Sequence, residues 1–176
     1  MKEIFSSFFE KMTSLTMILS GALCEERCVI TPESALERSR MLRNECVERA
    51  EKQFITPICR EDIVTICLKI HRLNCNIYDI LKNNLYELSS RRFTLEITEL
   101  YKLCRRLHGV FENGFPKKYS DALDMEYILK SQATEKNRYN YTEIMYDMLF
   151  YSRIKSCYDA VIDILELVVV TVIKNT

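Results

Sequence analysis

Three side chains in the stretch "TICLKIHRLNC" could do chemistry together: Cys67, His71 and Cys75 stand four residues apart. On an α-helix that spacing sets successive residues on one slanting row, each within reach of the next. Thiolate and imidazole are the ligands of zinc and of softer ions. The row therefore suggests a metal site of Cys67, His71 and Cys75 for zinc or another soft divalent ion. One straight helix rarely encloses an ion, so a fourth ligand would have to come from another helix, with Cys46 and Cys104 as candidates. The competing reading is packing. Cys67 adjoins an apolar seam at Ile66, and reduced cysteine is commonly buried as a small hydrophobe. On that reading no cofactor is bound.

Catalysis finds less support. His71 and His108 are the only two histidines, and neither has a recognisable nucleophile motif beside it. The paired serines Ser89 and Ser90 fall in a connection between helices. There is no Walker-type loop, no Gly-x-Gly-x-x-Gly and no Gly-x-Ser-x-Gly. A non-enzymatic protein with no catalytic residues is expected.

The elements that must hold these side chains follow from composition. The chain has 176 residues with only 3 glycines and 3 prolines. An all-β domain would need many more turn residues, so the class is all-α with long helices. Lysine plus arginine number 25 and aspartate plus glutamate 25, so the net charge is near zero. Nucleic acid is a poor fit, because phosphate binding needs a concentrated positive face. The 8 cysteines suit reduced thiols better than a disulfide scaffold, because a chain 48% apolar can build a core without staples. "TMILSGALC" hints at a lipoprotein signal, but Leu23 is bulky where a small residue is needed, and Glu3 and Glu10 sit where positive charge is expected. The last apolar run, "AVIDILELVVVTVIK", is interrupted by Asp163 and Glu166 and is shorter than the roughly 20 residues of a membrane span. A cytoplasmic protein without a span of its own is expected.

Apolar spacing sorts the chain into six helices. The first holds Phe5, Phe8, Phe9, Met12, Leu15, Leu19 and Leu23. The second starts at Thr31-Pro32-Glu33, a capping hydroxyl followed by a proline at the first helical position, and buries Ala35, Leu42, Cys46, Ala50 and Phe54. The third carries the seam Ile63, Ile66, Ile70, Leu73, Ile77 and Ile80 and runs to about Leu88. The fourth carries Phe93, Ile97, Leu100, Cys104, Leu107 and Phe111 and ends at "ENGFPKK". A short fifth spans Ser120 to about Gln132. The sixth runs from about Tyr141 to Lys174, with "VVVTVI" as buried helix rather than strand. Valines left exposed among Val168, Val169, Val170 and Val172 would suggest self-association or a partner surface.

The segment before the seam carries a resemblance. "FITPICREDI" is similar to Phe-x-Thr-Pro-Ile-Asp-Arg-Glu-Asp-Ile of the PhoU-like proteins, and "FSSFFEKMTSLTMILSGAL" resembles that family's first helix. The resemblance implies two three-helix bundles side by side, one PhoU-like domain over 1–176 with pseudo-halves of about 1–90 and 91–176. It also implies a regulator of inorganic phosphate transport that touches a Pit-type phosphate permease at the inner face of the membrane. The family's acidic metal motifs depart here: in its register they fall near Arg40, on His71, Arg72 and Cys75, and on Leu149 and Arg153. The pairs Glu143 with Asp147 and Asp159 with Asp163 are off that register and are expected to be solvated. Cys59 replaces a capping aspartate, so the third helix should be weakly capped, with Asp62 able to reach back to free amides. Two alternatives stay open: a metal-binding or redox-sensing protein using its cysteines and histidine, and a helical adaptor unrelated to phosphate.

Overall fold

The computed structural model describes residues 2–25, 28–52, 58–83, 93–112, 114–116 and 145–174. Among these residues the fold is all-helical: α1 Lys2–Leu23, α2 Pro32–Lys52, α3 Arg60–Lys82, α4 Thr94–Glu112 and α5 Met145–Lys174. The helix expected over Ser120–Gln132, the loop after it and the start of the last helix at Tyr141 lie outside the described residues. The valine run is helical as expected.

Local chemistry explains the boundaries. The Thr31 hydroxyl accepts the Ser34 amide at 3.2 Å, which caps α2. Cys59 precedes α3 without a side-chain cap bond. Asp62 does not reach back to the free amides. It is buried, with Oδ1 3.6 Å from Lys174 Nζ and Oδ2 without a hydrogen-bond partner. α3 stops at Lys82, short of Leu88. Asn83 is extended there, and its amide closes on the Ile80 carbonyl. Asparagine is a poor helix former that competes for backbone groups, so Asn83 suits the end of the helix. α4 ends before Gly114, whose φ of 91° is a turn conformation that glycine adopts without strain.

The helices α1, α2 and α3 pack against one another. On the far side α4 lies on α1, α5 lies on α3, and α4 and α5 touch. Thus α1 and α3 are central, and α2 covers the groove between them. The seam residues Ile63, Ile66, Ile70, Leu73 and Ile77 are fully buried, as are Phe9, Met12 and Leu19 of α1. Phe9, Phe111 and Phe115 form an aromatic cluster with ring centroids 5.4 to 6.1 Å apart.

A polar stripe lies within this core. Thr13, Thr16 and Ser20 are wholly buried on α1. The Thr13 and Ser20 hydroxyls donate to the carbonyl one turn back, Thr13 to Phe9 at 2.8 Å and Ser20 to Thr16 at 2.8 Å, so these small residues tolerate burial. The Thr16 hydroxyl, 3.2 Å from the Met12 carbonyl, instead directs its one proton across the core to α3. Among the last valines, Val168 and Val172 are buried, Val169 is half-buried and Val170 is exposed. A continuous valine surface is therefore absent from this face of α5.

Candidate functional site

The antiparallel pair α2 and α3 frames an open cleft of about 360 Å³ lined by Glu33, Glu37 and Arg40 from α2 and by His71, Cys75 and Tyr78 from α3. Its rim carries two surface ion pairs, Glu33 with Lys82 at 2.7 Å and Glu37 with Arg40 at 2.7 Å. Its floor is the buried His71 ring.

The expected row of Cys67, His71 and Cys75 is divided. Four residues advance about 400° around a helix of 3.6 residues per turn, so each step turns the row by about 40° and two steps by about 80°. Cys67 consequently points into the core, with its Sγ 3.7 Å from the Met12 sulfur and its thiol against that of Cys46. Cys75 instead reaches the cleft, with its Sγ 3.6 Å from His71 Nε2. No group of three histidine, cysteine or acidic side chains among the described residues is arranged to hold a metal. Of the two further ligands considered, Cys46 does lie beside Cys67, whereas Cys104 is buried on α4 near Ser20.

Behind His71 runs a buried chain of hydrogen bonds. Its direction follows from one backbone carbonyl. The Met12 carbonyl can only accept, so the Asn74 side chain must turn its Nδ2 toward it, at 3.3 Å. Asn74 Oδ1 then accepts from Thr16 at 2.6 Å, and Nδ2 also donates to Ser39 Oγ at 2.9 Å. Ser39 has no carbonyl acceptor among the described residues, so its proton goes to His71 Nδ1 at 2.9 Å. His71 is left with its proton on Nε2, which donates to the Cys75 sulfur. A partner that can only accept, placed in α1, sets the tautomer of a histidine in α3.

The electrostatics agree. Burial first, then the charges of Arg43 and Arg40, hold His71 below its usual titration range and keep the ring neutral. Burial first, then Asp79, pushes the Cys75 thiol up, so it stays protonated at neutral pH. A neutral ring whose Nε2 already bears its proton cannot take one from the thiol. The pair can donate and accept hydrogen bonds to a bound group, but it is not wired as a thiolate nucleophile with a base.

The remaining residues singled out by sequence are dispersed. Arg72 and Leu149 are exposed. Arg153 is half-buried in a second, shallow cleft with Asp79, Lys82 and Asn83. Asp163 is exposed and lies 3.4 Å from Lys69. Glu143 and the Asp147 side chain lie outside the described residues. Ser39, Asn74 and Thr16, which wire the cleft, were not anticipated. For Ser39 the signal was its register, since it falls four residues after Ala35 and seven before Cys46 on the buried face. No protein family, no curated protein and no solved structure matches the chain.

Proposed function

We propose that this chain is a non-enzymatic, cytoplasmic accessory protein of inorganic phosphate transport that acts by contact with a Pit-type permease at the inner face of the membrane. The reading rests on the resemblance carried by "FITPICREDI". One observation supports it most. Arg40, near which one acidic position of the PhoU-like motifs falls, lines one cleft with His71 and Cys75, onto which two others fall, although Arg72, Leu149 and Arg153 of the same register lie outside it. The finer architecture belongs to the same reading. The mutual packing of α1, α2 and α3 suits one three-helix bundle, and α4 with α5 suits part of a second.

In this cleft arginine, a neutral imidazole and a protonated thiol stand where the family has carboxylates. Such a surface favours hydrogen-bonding contact with a protein partner over a cluster of hard cations, which arginine would repel. The test is cross-linking in native membranes, followed by identification of the captured protein and measurement of phosphate uptake with and without the chain. Capture of a phosphate permease together with altered uptake is expected. If neither occurs, the adaptor reading replaces this one.

A further inference from the structure

Beneath α2, outside the cleft just described, Cys67 Sγ of α3 lies 3.7 Å from Met12 Sδ of α1, and the Cys46 thiol of α2 is within reach of Cys67 from another side. All three side chains are fully buried. The Arg43 carbonyl lies 3.8 Å from Cys67 Sγ, and Arg43 is half-buried, so the sulfurs lie one layer below the surface.

We propose that Met12, Cys46 and Cys67 form a binding site for a soft monovalent metal ion, with copper(I) the best fit. Two thiolates and a thioether are a soft donor set that selects copper(I) over harder ions. A metal–sulfur bond of about 2.3 Å in a planar three-coordinate arrangement would set the sulfurs about 4.0 Å apart. The observed 3.7 Å between the Met12 and Cys67 sulfurs needs only a small adjustment along that edge. Zinc wants a fourth ligand and is poorly served by a thioether, and the described residues place no fourth histidine, cysteine or acid here.

The charge balance also closes. Both thiols give up their protons as the ion enters, so one copper(I) and two thiolates leave a net charge of −1, with no change of oxidation state. Arg43 is close enough to favour the Cys67 thiolate and would offset that charge. Because both thiols must lose their protons on ligation, metal capture should weaken as pH falls. The site is independent of the transport reading and shares no ligand with the His71 cleft.

The test uses the whole chain, reduced and free of oxygen, titrated with copper(I) against a chromophoric copper(I) chelator. One equivalent should be captured, with sulfur-to-copper absorption in the ultraviolet. Cys46→Ala and Cys67→Ala should each lower affinity more than about 100-fold, and Met12→Leu by about tenfold. Cys104→Ala should leave it unchanged. X-ray absorption of the loaded native protein should show three sulfur neighbours and no nitrogen or oxygen, a readout that does not depend on any variant folding. No capture by the folded protein would overturn the proposal. So would unchanged affinity in folded Cys46→Ala and Cys67→Ala variants, or a first shell of nitrogen and oxygen.

Discussion

The two histidines make the same kind of contact with opposite polarity. His71 and His108 each place Nδ1 beside a hydroxyl of a neighbouring helix, Ser39 at 2.9 Å and Thr13 at 3.1 Å. The Thr13 hydroxyl proton has backbone acceptors in its own helix, Phe9 at 2.8 Å and Glu10 at 3.0 Å. Its oxygen is left to accept, so His108 carries its proton on Nδ1. His108 lines a groove of about 620 Å³ together with Glu10, Lys11 and Arg38. Ser39 lacks such an acceptor and already takes an N–H from Asn74, so it donates and His71 carries its proton on Nε2. The ring chemistry is thus set by what the hydroxyl is already bonded to, not by the hydroxyl itself. A search for histidines near serine or threonine would treat the two sites as alike.

Breaking the chain at its hub should have the largest effect. Asn74→Ala removes three buried hydrogen bonds, to Thr16, to Ser39 and to the Met12 carbonyl, at about 0.5–1.5 kcal/mol apiece, while Ser39 keeps His71 and Thr16 falls back on the Met12 carbonyl. Urea denaturation should show a loss of roughly 1.5–4.5 kcal/mol on that basis. Ser39→Ala removes one hydroxyl that both accepts and donates. A loss of about 1–3 kcal/mol is expected, and His71 should shift toward the Nδ1–H tautomer in nitrogen-15 spectra, since nothing then donates to that atom. Thr13→Ala removes a half-buried contact and should cost about 1 kcal/mol or less, with His71 unmoved.

The smallest of these effects is electrostatic. Folding holds His71 below the usual 6.5, so the folded state prefers the neutral ring. Its contribution to stability is complete above that value. It is lost as pH falls from there through the folded titration point, because the unfolded chain takes up the proton first. Arg43 is the larger of the two charges responsible. Arg43→Ala should raise the His71 titration point in a chemical-shift titration and narrow the pH window of acid loss. No change would mean that burial and Arg40 set it without Arg43.

These residues also mark how far the sequence can be read. The seam from Ile63 to Ile80 and the stripe from Phe5 to Leu23 were legible because burial repeats at helical period within one window, and all of those residues are buried. The cleft was half legible. His71 and Cys75 were singled out by spacing and do touch. Cys67 was grouped with them because a row of fours looks straight on paper while it turns around the helix. Ser39, Asn74 and Thr16 were missed because small polar residues look like surface, and what makes them core is a partner from another helix that no local pattern shows. The sulfur contact of Met12 with Cys67 joins residues 55 apart in sequence and was illegible for the same reason.

The central claim is that His71 is held neutral as a donor to Cys75, so that the ring does not serve as a base for that thiol. A long-range proton–nitrogen-15 spectrum of the whole protein at neutral pH tests it directly. The wiring predicts a His71 ring with a protonated Nε2 and a bare Nδ1, the reverse of the pattern at His108. An imidazolium, or a proton on Nδ1 with Nε2 bare toward the Cys75 sulfur, would contradict it.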